Sequence, residues 1–309
     1  MDFVSEEPVD RLTESASFAP RFGGSQANIA VGAARFGASA ALAGCAGTDP
    51  WGRWLRETLA REGVDVALFE LHADVQTQHA FVAVSPDGEP SFSFFGETPR
   101  GCMPAAQELH ERVTEGPPGV LVFGSDTLIA ERDREVVADL GRLARSRDWQ
   151  ALFDPNLRVA RWHNEALMLA VATGVLEDVT VVKANSAEAI ALTGRADPVE
   201  AARALCSLGP RIALVTAGAD GAILAAGDAA PERVPAVHTR ILDATGAGDA
   251  VAAVVAAALA RGGGLTAGVV ELAMQVAARV VTERGALAGL PSEAEAARML
   301  DRHLEEASK

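Results

Sequence analysis

Four short apolar runs, at residues 120–123, 151–153, 179–182 and 212–215, are separated by segments whose apolar residues recur at helical spacing. This alternation constrains the fold more than any other feature of the chain. Runs of that length suit strands buried on both faces and are too short for helices. Helical periodicity covers 28–36, 51–61, 131–145, 165–173, 198–207 and 250–259, with further helices near 266–283 and 293–304. Strand alternating with helix predicts an α/β fold: a mostly parallel sheet wound by helices on both faces. Two β-prone runs, 79–84 and 91–95, interrupt the winding. The segment between them, Ser85-Pro86-Asp87-Gly88-Glu89-Pro90, carries a Pro-Asp-Gly core and predicts a hairpin turn. With Phe92, Phe94 and the segment around Phe18 and Phe22, this hairpin reads either as a small β flap over a pocket or as a plain edge ribbon.

The chain has 309 residues, 49% of them hydrophobic and only 22% charged, enough to bury the core of one large α/β domain. Its net charge of -15 argues against general binding to nucleic acid or an anionic membrane and leaves small molecules as the expected partners. Cys45, Cys102 and Cys206 are odd in number and far apart, which fits neither a disulfide framework nor a zinc site. No basic, apolar leader is evident at MDFVSEEPVDR, and the apolar stretch 250–260 is too short to span a bilayer, so a cytoplasmic protein is expected.

Chemistry concentrates at Asp243-Ala244-Thr245-Gly246-Ala247-Gly248-Asp249, which runs straight into an alanine-rich helix. Gly246, Ala247 and Gly248 carry little or no bulk, so an anion can approach main-chain N–H groups that lack partners at a helix start and sit at the positive end of its dipole. A carboxylate of ordinary pKa, ~4, is ionised at neutral pH, so an acid in this turn can take a proton from a hydroxyl held beside the anion. The plainer alternative makes Asp249 a helix cap. A P-loop is excluded because it needs a lysine after its second glycine, and the only lysines are Lys183 and Lys309. The dinucleotide fingerprint fails as well, since Val251 stands where a small residue is required, late in the chain.

Four other segments have chemical potential. Gly23 and Gly24 precede a helix with Asn28 in its first turn, so a polyol can meet main-chain donors and an amide; a tight turn with a buried Asn explains the pattern too. Asn185 and Glu188 lie three apart at the start of a helix, a pair suited to holding Mg²⁺ through water or to a capping interaction. Thr216, Gly218 and Gly221 mark a small-residue loop between two strands, fit for a nucleotide or for a simple turn. Arg158, in Asp154-Pro155-Asn156-Leu157-Arg158, follows a strand at the end where open parallel sheets bind ligands, and can face a phosphate or an acidic group or be a surface arginine.

Taken in order, GGSQANIAVGAARFG, NSAE, VTAGADGA and DATGAGDA resemble the motifs of the ribokinase-like (PfkB) family of carbohydrate kinases over essentially the whole chain. The resemblance implies a three-layer α/β/α fold with a small β lid, here about 9–22 and 76–98, that commonly mediates dimerisation. It implies an ATP-dependent sugar kinase with Asp249 as general base and Gly246, Ala247 and Gly248 as the anion hole. Asn185 and Glu188 would then organise Mg²⁺, Thr216, Gly218 and Gly221 the nucleotide, and Gly23, Gly24 and Asn28 the sugar hydroxyls. A monovalent cation such as K⁺ would sit near Asp243. The family normally begins with a core strand running into a sugar-binding Asp; Asp2 matches that Asp, and the strand before it is expected to be missing. DPNLR and GGSQAN look more like fructokinases and 2-keto-3-deoxygluconate kinases than ribokinases or nucleoside kinases. The rival is a catalytically silent sugar or nucleotide sensor of the same fold.

Overall fold

A computed structural model describes residues 1–96, 103–104 and 106–307. Cys102, Lys309 and the last two residues of the expected lid segment lie outside the described residues. The chain forms two compact units, one made of Met1–Cys102, His238–Ala257 and Leu272–Lys309, the other of Met103–Val237 and Ala258–Glu271.

The first unit opens with β1 (Asp2–Ser5), β2 (Phe18–Arg21), α1 (Ser25–Arg35), β3 (Gly44–Gly47), α2 (Pro50–Arg61), β4 (Phe69–His72), β5 (His79–Val84) and β6 (Pro90–Phe95). The expected hairpin is β5–β6, paired antiparallel with His79 opposite Phe95. It belongs to a four-stranded sheet in the order β2-β1-β5-β6, in which β1 runs parallel to β5. Residues 2–5 thus lie in the same sheet as the segments expected to form a lid. Strand periodicity divides this sheet into two faces. Val4, Ala80, Val82 and Val84 are buried on one, with Phe92 and Phe94 packed against them. The other carries an aromatic cluster in which the Phe81 ring stacks on Phe3 and meets Phe18 and Phe95 edge-on. Phe95 remains 49% exposed. β3 and β4 form a separate parallel pair. Asp49 starts α2 cleanly, its carboxylate accepting the N–H groups of Trp51 and Gly52, with Pro50 in the first turn where no N–H is needed.

The second unit contains α3 (Ala106–Glu115), β7 (Val120–Gly124), α4 (Glu131–Ser146), β8 (Gln150–Asp154), α5 (Glu165–Gly174), β9 (Val181–Asn185), α6 (Ser186–Thr193), α7 (Pro198–Ser207), β10 (Ile212–Thr216), β11 (Ala222–Ala226) and β12 (Glu232–Val234). Its sheet has the order β12-β11-β10-β9-β8-β7, with β7 to β10 parallel and β11 and β12 antiparallel at one side. This is the mostly parallel α/β sheet expected. Phe123, Phe153, Val182 and Val215 from the strands pack with Val137, Met168, Ala189 and Leu205 from the helices in one core. The third strand begins at Val181, two residues later than the apolar run suggested, because a 3-10 turn at Val175–Asp178 carries the chain up to it.

The last helices are α8 (Ala247–Ala260), α9 (Ala267–Val280) and α10 (Glu293–Ala307). Residues 250–259 are all buried, as a helix apolar on every side must be. Within the first unit, α1 approaches α8 so closely that a Cβ on Gly32 would lie 2.6 Å from that of Ala253. One expectation about the cysteines is corrected: Cys45 is disulfide-bonded, and Cys206 is free.

Candidate active site

Asp249 lies in the first turn of α8 and is not its cap, since the helix starts at Ala247. The chain enters through Gly246 at φ +82°, a left-handed conformation that glycine adopts without strain; an added Cβ there would also lie 2.4 Å from the Ala286 methyl. Both Asp249 oxygens are held by α1. Ser25 Oγ donates to Oδ1 at 2.7 Å and Asn28 Nδ2 to Oδ2 at 2.7 Å. Each oxygen keeps a further lone pair. Ser25 went unread in the sequence although it stands inside the GGSQAN segment, because only the fold brings it to a residue 224 positions away.

Around this carboxylate several polar groups stay unmatched. The Asn28 amide oxygen and the Thr245 hydroxyl are buried without a hydrogen-bond partner. Among the described residues, the N–H groups of Gly246 and Gly248 also have no acceptor, whereas the Ala247 N–H turns to the Ala244 carbonyl at 3.3 Å. Two of the three expected anion-hole donors are therefore available, and the third is spent within the turn. Buried polar groups are nearly always paired in folded proteins, by protein, water or ligand, which makes this grouping a candidate ligand site.

Asp2 and Asp243 complete the acidic cluster of the first unit. Asp2 is buried beside Gly23, where a Cβ would lie 2.1 Å from its carboxylate. Burial pushes its carboxyl up to about 6; the nearby chain amine pulls it down, and the charges of Asp249 and Asp243 push it further up. Asp243 is fully buried and spends both oxygens on the main chain, accepting from Thr245 N–H and Gly285 N–H at 2.9 Å each. Its carboxylate thus organises the turn, and each oxygen keeps one lone pair beyond the N–H it accepts. A cavity of about 160 Å³ adjoins Gly23 and Gly24, while a larger groove of about 770 Å³ runs along Arg35, Arg61 and Glu62 and touches none of these groups.

In the second unit, Asn185 and Glu188 form a complete capping box. The Asn185 amide oxygen accepts the Glu188 N–H, and Glu188 Oε2 accepts the Asn185 N–H, each at 2.9 Å. Glu188 Oε1 is also taken, by the Leu157 N–H at 2.9 Å. No cluster of three or more metal-binding side chains occurs among the described residues. These donors make no protein cage for Mg²⁺, an ion that characteristically keeps its waters and binds through substrate phosphates. Thr216 ends β10, and Gly218 and Gly221, at φ +56° and +87°, shape the tight connection to β11, closed by the Ala217 N–H donating to the Gly221 carbonyl at 2.7 Å. Arg158 follows β8 at its C-terminal end, its guanidinium donating to the Leu157 carbonyl. Sequence reading attached no role to Asp154 or Lys183, yet they form an ion pair at 2.9 Å with side chains only 2% and 5% exposed.

The family profile described as pfkB family carbohydrate kinase matches residues 1–293. The chain belongs to that family. A fructokinase from Salmonella typhimurium is 32% identical over 275 residues, covering 87% of this chain and 88% of that protein. An aminoimidazole riboside kinase from the same organism is 31% identical, covering 93% and 91%. Among solved structures, an aminoimidazole riboside kinase from Salmonella enterica, complexed with aminoimidazole riboside and an ATP analog, superposes with a TM-score of 0.80 at 26% identity over 97% of this chain and 96% of that one. A double mutant of fructokinase from Vibrio cholerae O395, bound to fructose, ADP and potassium ion, gives 0.81 at 25% over 97% and 94%. The protein is accordingly a carbohydrate kinase with a ribokinase-like α/β fold. No helix is long and apolar enough to cross a membrane among the described residues.

Proposed function

We propose that this carbohydrate kinase transfers the γ-phosphoryl group of ATP to a hydroxyl of a ketose or sugar acid, with fructose the leading candidate. The observation that carries the reading is the Asp249 carboxylate, fixed by Ser25 and Asn28 in the same turn as the unpaired N–H groups of Gly246 and Gly248. Asp249 takes the proton of the attacking hydroxyl as the oxygen–phosphorus bond forms. The N–H groups receive negative charge on the migrating phosphoryl. Phosphoryl transfer asks mainly for positioning and charge stabilisation, and both are present in preset form. Asp2, the Gly23–Gly24 turn and the orphan Asn28 oxygen bind acceptor hydroxyls. Thr216, Gly218 and Gly221 serve the nucleotide, whose Mg²⁺ arrives on its phosphates, and Arg158 binds an anionic group of a ligand.

Similarity to the fructokinases supports a ketose. The aminoimidazole riboside kinases, equally similar, support a second reading in which the acceptor is a riboside hydroxyl. The aromatic face of the four-stranded sheet, with Phe95 half in solvent, supports a homodimer through the lid. The test is release of ADP from ATP over fructose, ribose, 2-keto-3-deoxygluconate and nucleosides, with and without Mg²⁺ and K⁺. A Mg²⁺-dependent turnover with fructose or the keto acid supports the reading; turnover only with nucleosides replaces it with the second; ATP and sugar binding without turnover makes the protein a sensor.

A further inference from the structure

Glu188 does more than cap a helix. Buried at 7% exposure, it closes the start of α6 with one oxygen and with the other crosses to the loop after β8, where it accepts the Leu157 N–H. Nothing in a capping box requires that second bond. The loop it reaches is held at other points too. Ser125 N–H donates to the Pro155 carbonyl at 3.0 Å, and beneath it Lys183 of β9 donates to Asp154 of β8. Between these anchors Asn156 takes φ +42°, a left-handed conformation uncommon outside glycine and one that persists where the surroundings dictate it. Arg158 is the next residue after Leu157, and its guanidinium donates to the Leu157 carbonyl at 3.2 Å. A grip on the Leu157 main chain therefore fixes both the backbone that carries Arg158 and the atom its head group leans on.

We propose that Glu188 is a positioning residue. It acts through Leu157 to set Arg158 at the C-terminal edge of the parallel sheet for an anionic group of a ligand, a role that needs no metal at Glu188. The proposal rests on the reading of Arg158 as a ligand-binding residue given above. Its chemistry is that of two main-chain N–H groups sharing one carboxylate, each bond charge-assisted. Glu188→Gln keeps one acceptor oxygen and turns an NH₂ toward the other N–H, so one of the two grips is lost with little change in volume.

Two measurements decide it. Hydrogen exchange read on the peptide spanning 155–162 should speed up on the order of tenfold in Glu188→Gln, as loss of a charged acceptor implies; unchanged exchange there overturns the proposal. Kinetics should then show that Glu188→Gln raises the same KM, for ATP or for the acceptor, that Arg158→Ala raises. The double variant should be no worse than Arg158→Ala alone within about twofold. Additive effects, an Arg158→Ala variant with both KM values unchanged, or a shift in the Mg²⁺ concentration for half-maximal rate larger than the shift in KM would each overturn it. If Glu188→Gln fails to fold, Glu188→Asp, one methylene shorter and able to reach only one N–H, replaces it in both arms. A wild-type protein that phosphorylates no acceptor would sink the proposed function, while exchange at Leu157 would still decide the grip.

Discussion

Replacing Asp2 with asparagine should make the protein more stable at neutral pH, and by an amount that depends on pH. The native carboxyl is raised from 3.8 to about 6, first by burial and then by the neighbouring charges of Asp249 and Asp243 against the pull of the chain amine. A shift of that size is worth about 3 kcal/mol between the two protonation states. The sign follows from linkage: the folded chain holds this proton more tightly than the unfolded chain does, so stability falls as pH rises from about 4 to about 6 and the loss is complete above that. The asparagine amide carries no charge and escapes the loss. Urea unfolding of both proteins at pH 4.5, 5.5, 6.5 and 7.5 measures the difference. The variant's advantage should grow by about 1.4 kcal/mol per pH unit up to about pH 6 and be level by pH 7.5. A difference that does not change with pH, or a variant less stable at pH 7.5, would refute the argument that this acid is kept in the fold against its own desolvation.

Other changes test the turn that carries Asp249. Gly246→Ala forces a left-handed alanine and places a methyl 2.4 Å from that of Ala286, which should cost about 2–5 kcal/mol and lower the Tm by roughly 5 °C or more; a melting curve matching wild type would show that the turn can rearrange. Asp243→Asn puts an NH₂ group against one of two buried N–H donors and should cost about 1–3 kcal/mol of stability. If it instead left the Tm unchanged and abolished a K⁺ requirement, Asp243 would be a cation ligand.

Much of the fold was legible because its signals are local. The hairpin follows from Pro86-Asp87-Gly88 between alternating β-prone runs, and β7, β8 and β10 from short apolar runs that begin within a residue of the observed strands. β3, which reads Gly-Cys-Ala-Gly, has no apolar run to announce it and exists through pairing with β4. β1 lacks a local signal for a similar reason, being paired with two distant strands. α8 begins three residues before the run 250–259 because Ala247, a strong helix former, carries the helix back between two glycines whose poor propensity reads as a turn. At the site, the acid and its glycines were visible as a cluster in sequence. The Ser25 and Asn28 bonds to Asp249, the Glu188 bond to Leu157 and the Asp154–Lys183 pair join residues far apart in the chain, and no spacing rule reports them.

The central claim is that Asp249 removes a proton from an acceptor hydroxyl during phosphoryl transfer, and Asp249→Asn tests it with little structural disturbance. An amide at this position can accept from Asn28 Nδ2 and donate to Ser25 Oγ, so both bonds to α1 survive once the Ser25 hydroxyl rotates. The measurement is the single-turnover rate of phosphoryl transfer from ATP to the best acceptor, with ATP affinity and Tm as controls. The rate should fall by about 10²-fold to 10⁴-fold while affinity and Tm stay near wild type. A rate within about threefold of wild type would contradict the assignment of Asp249 as the general base, since base removal at the low end of its usual effect already exceeds that.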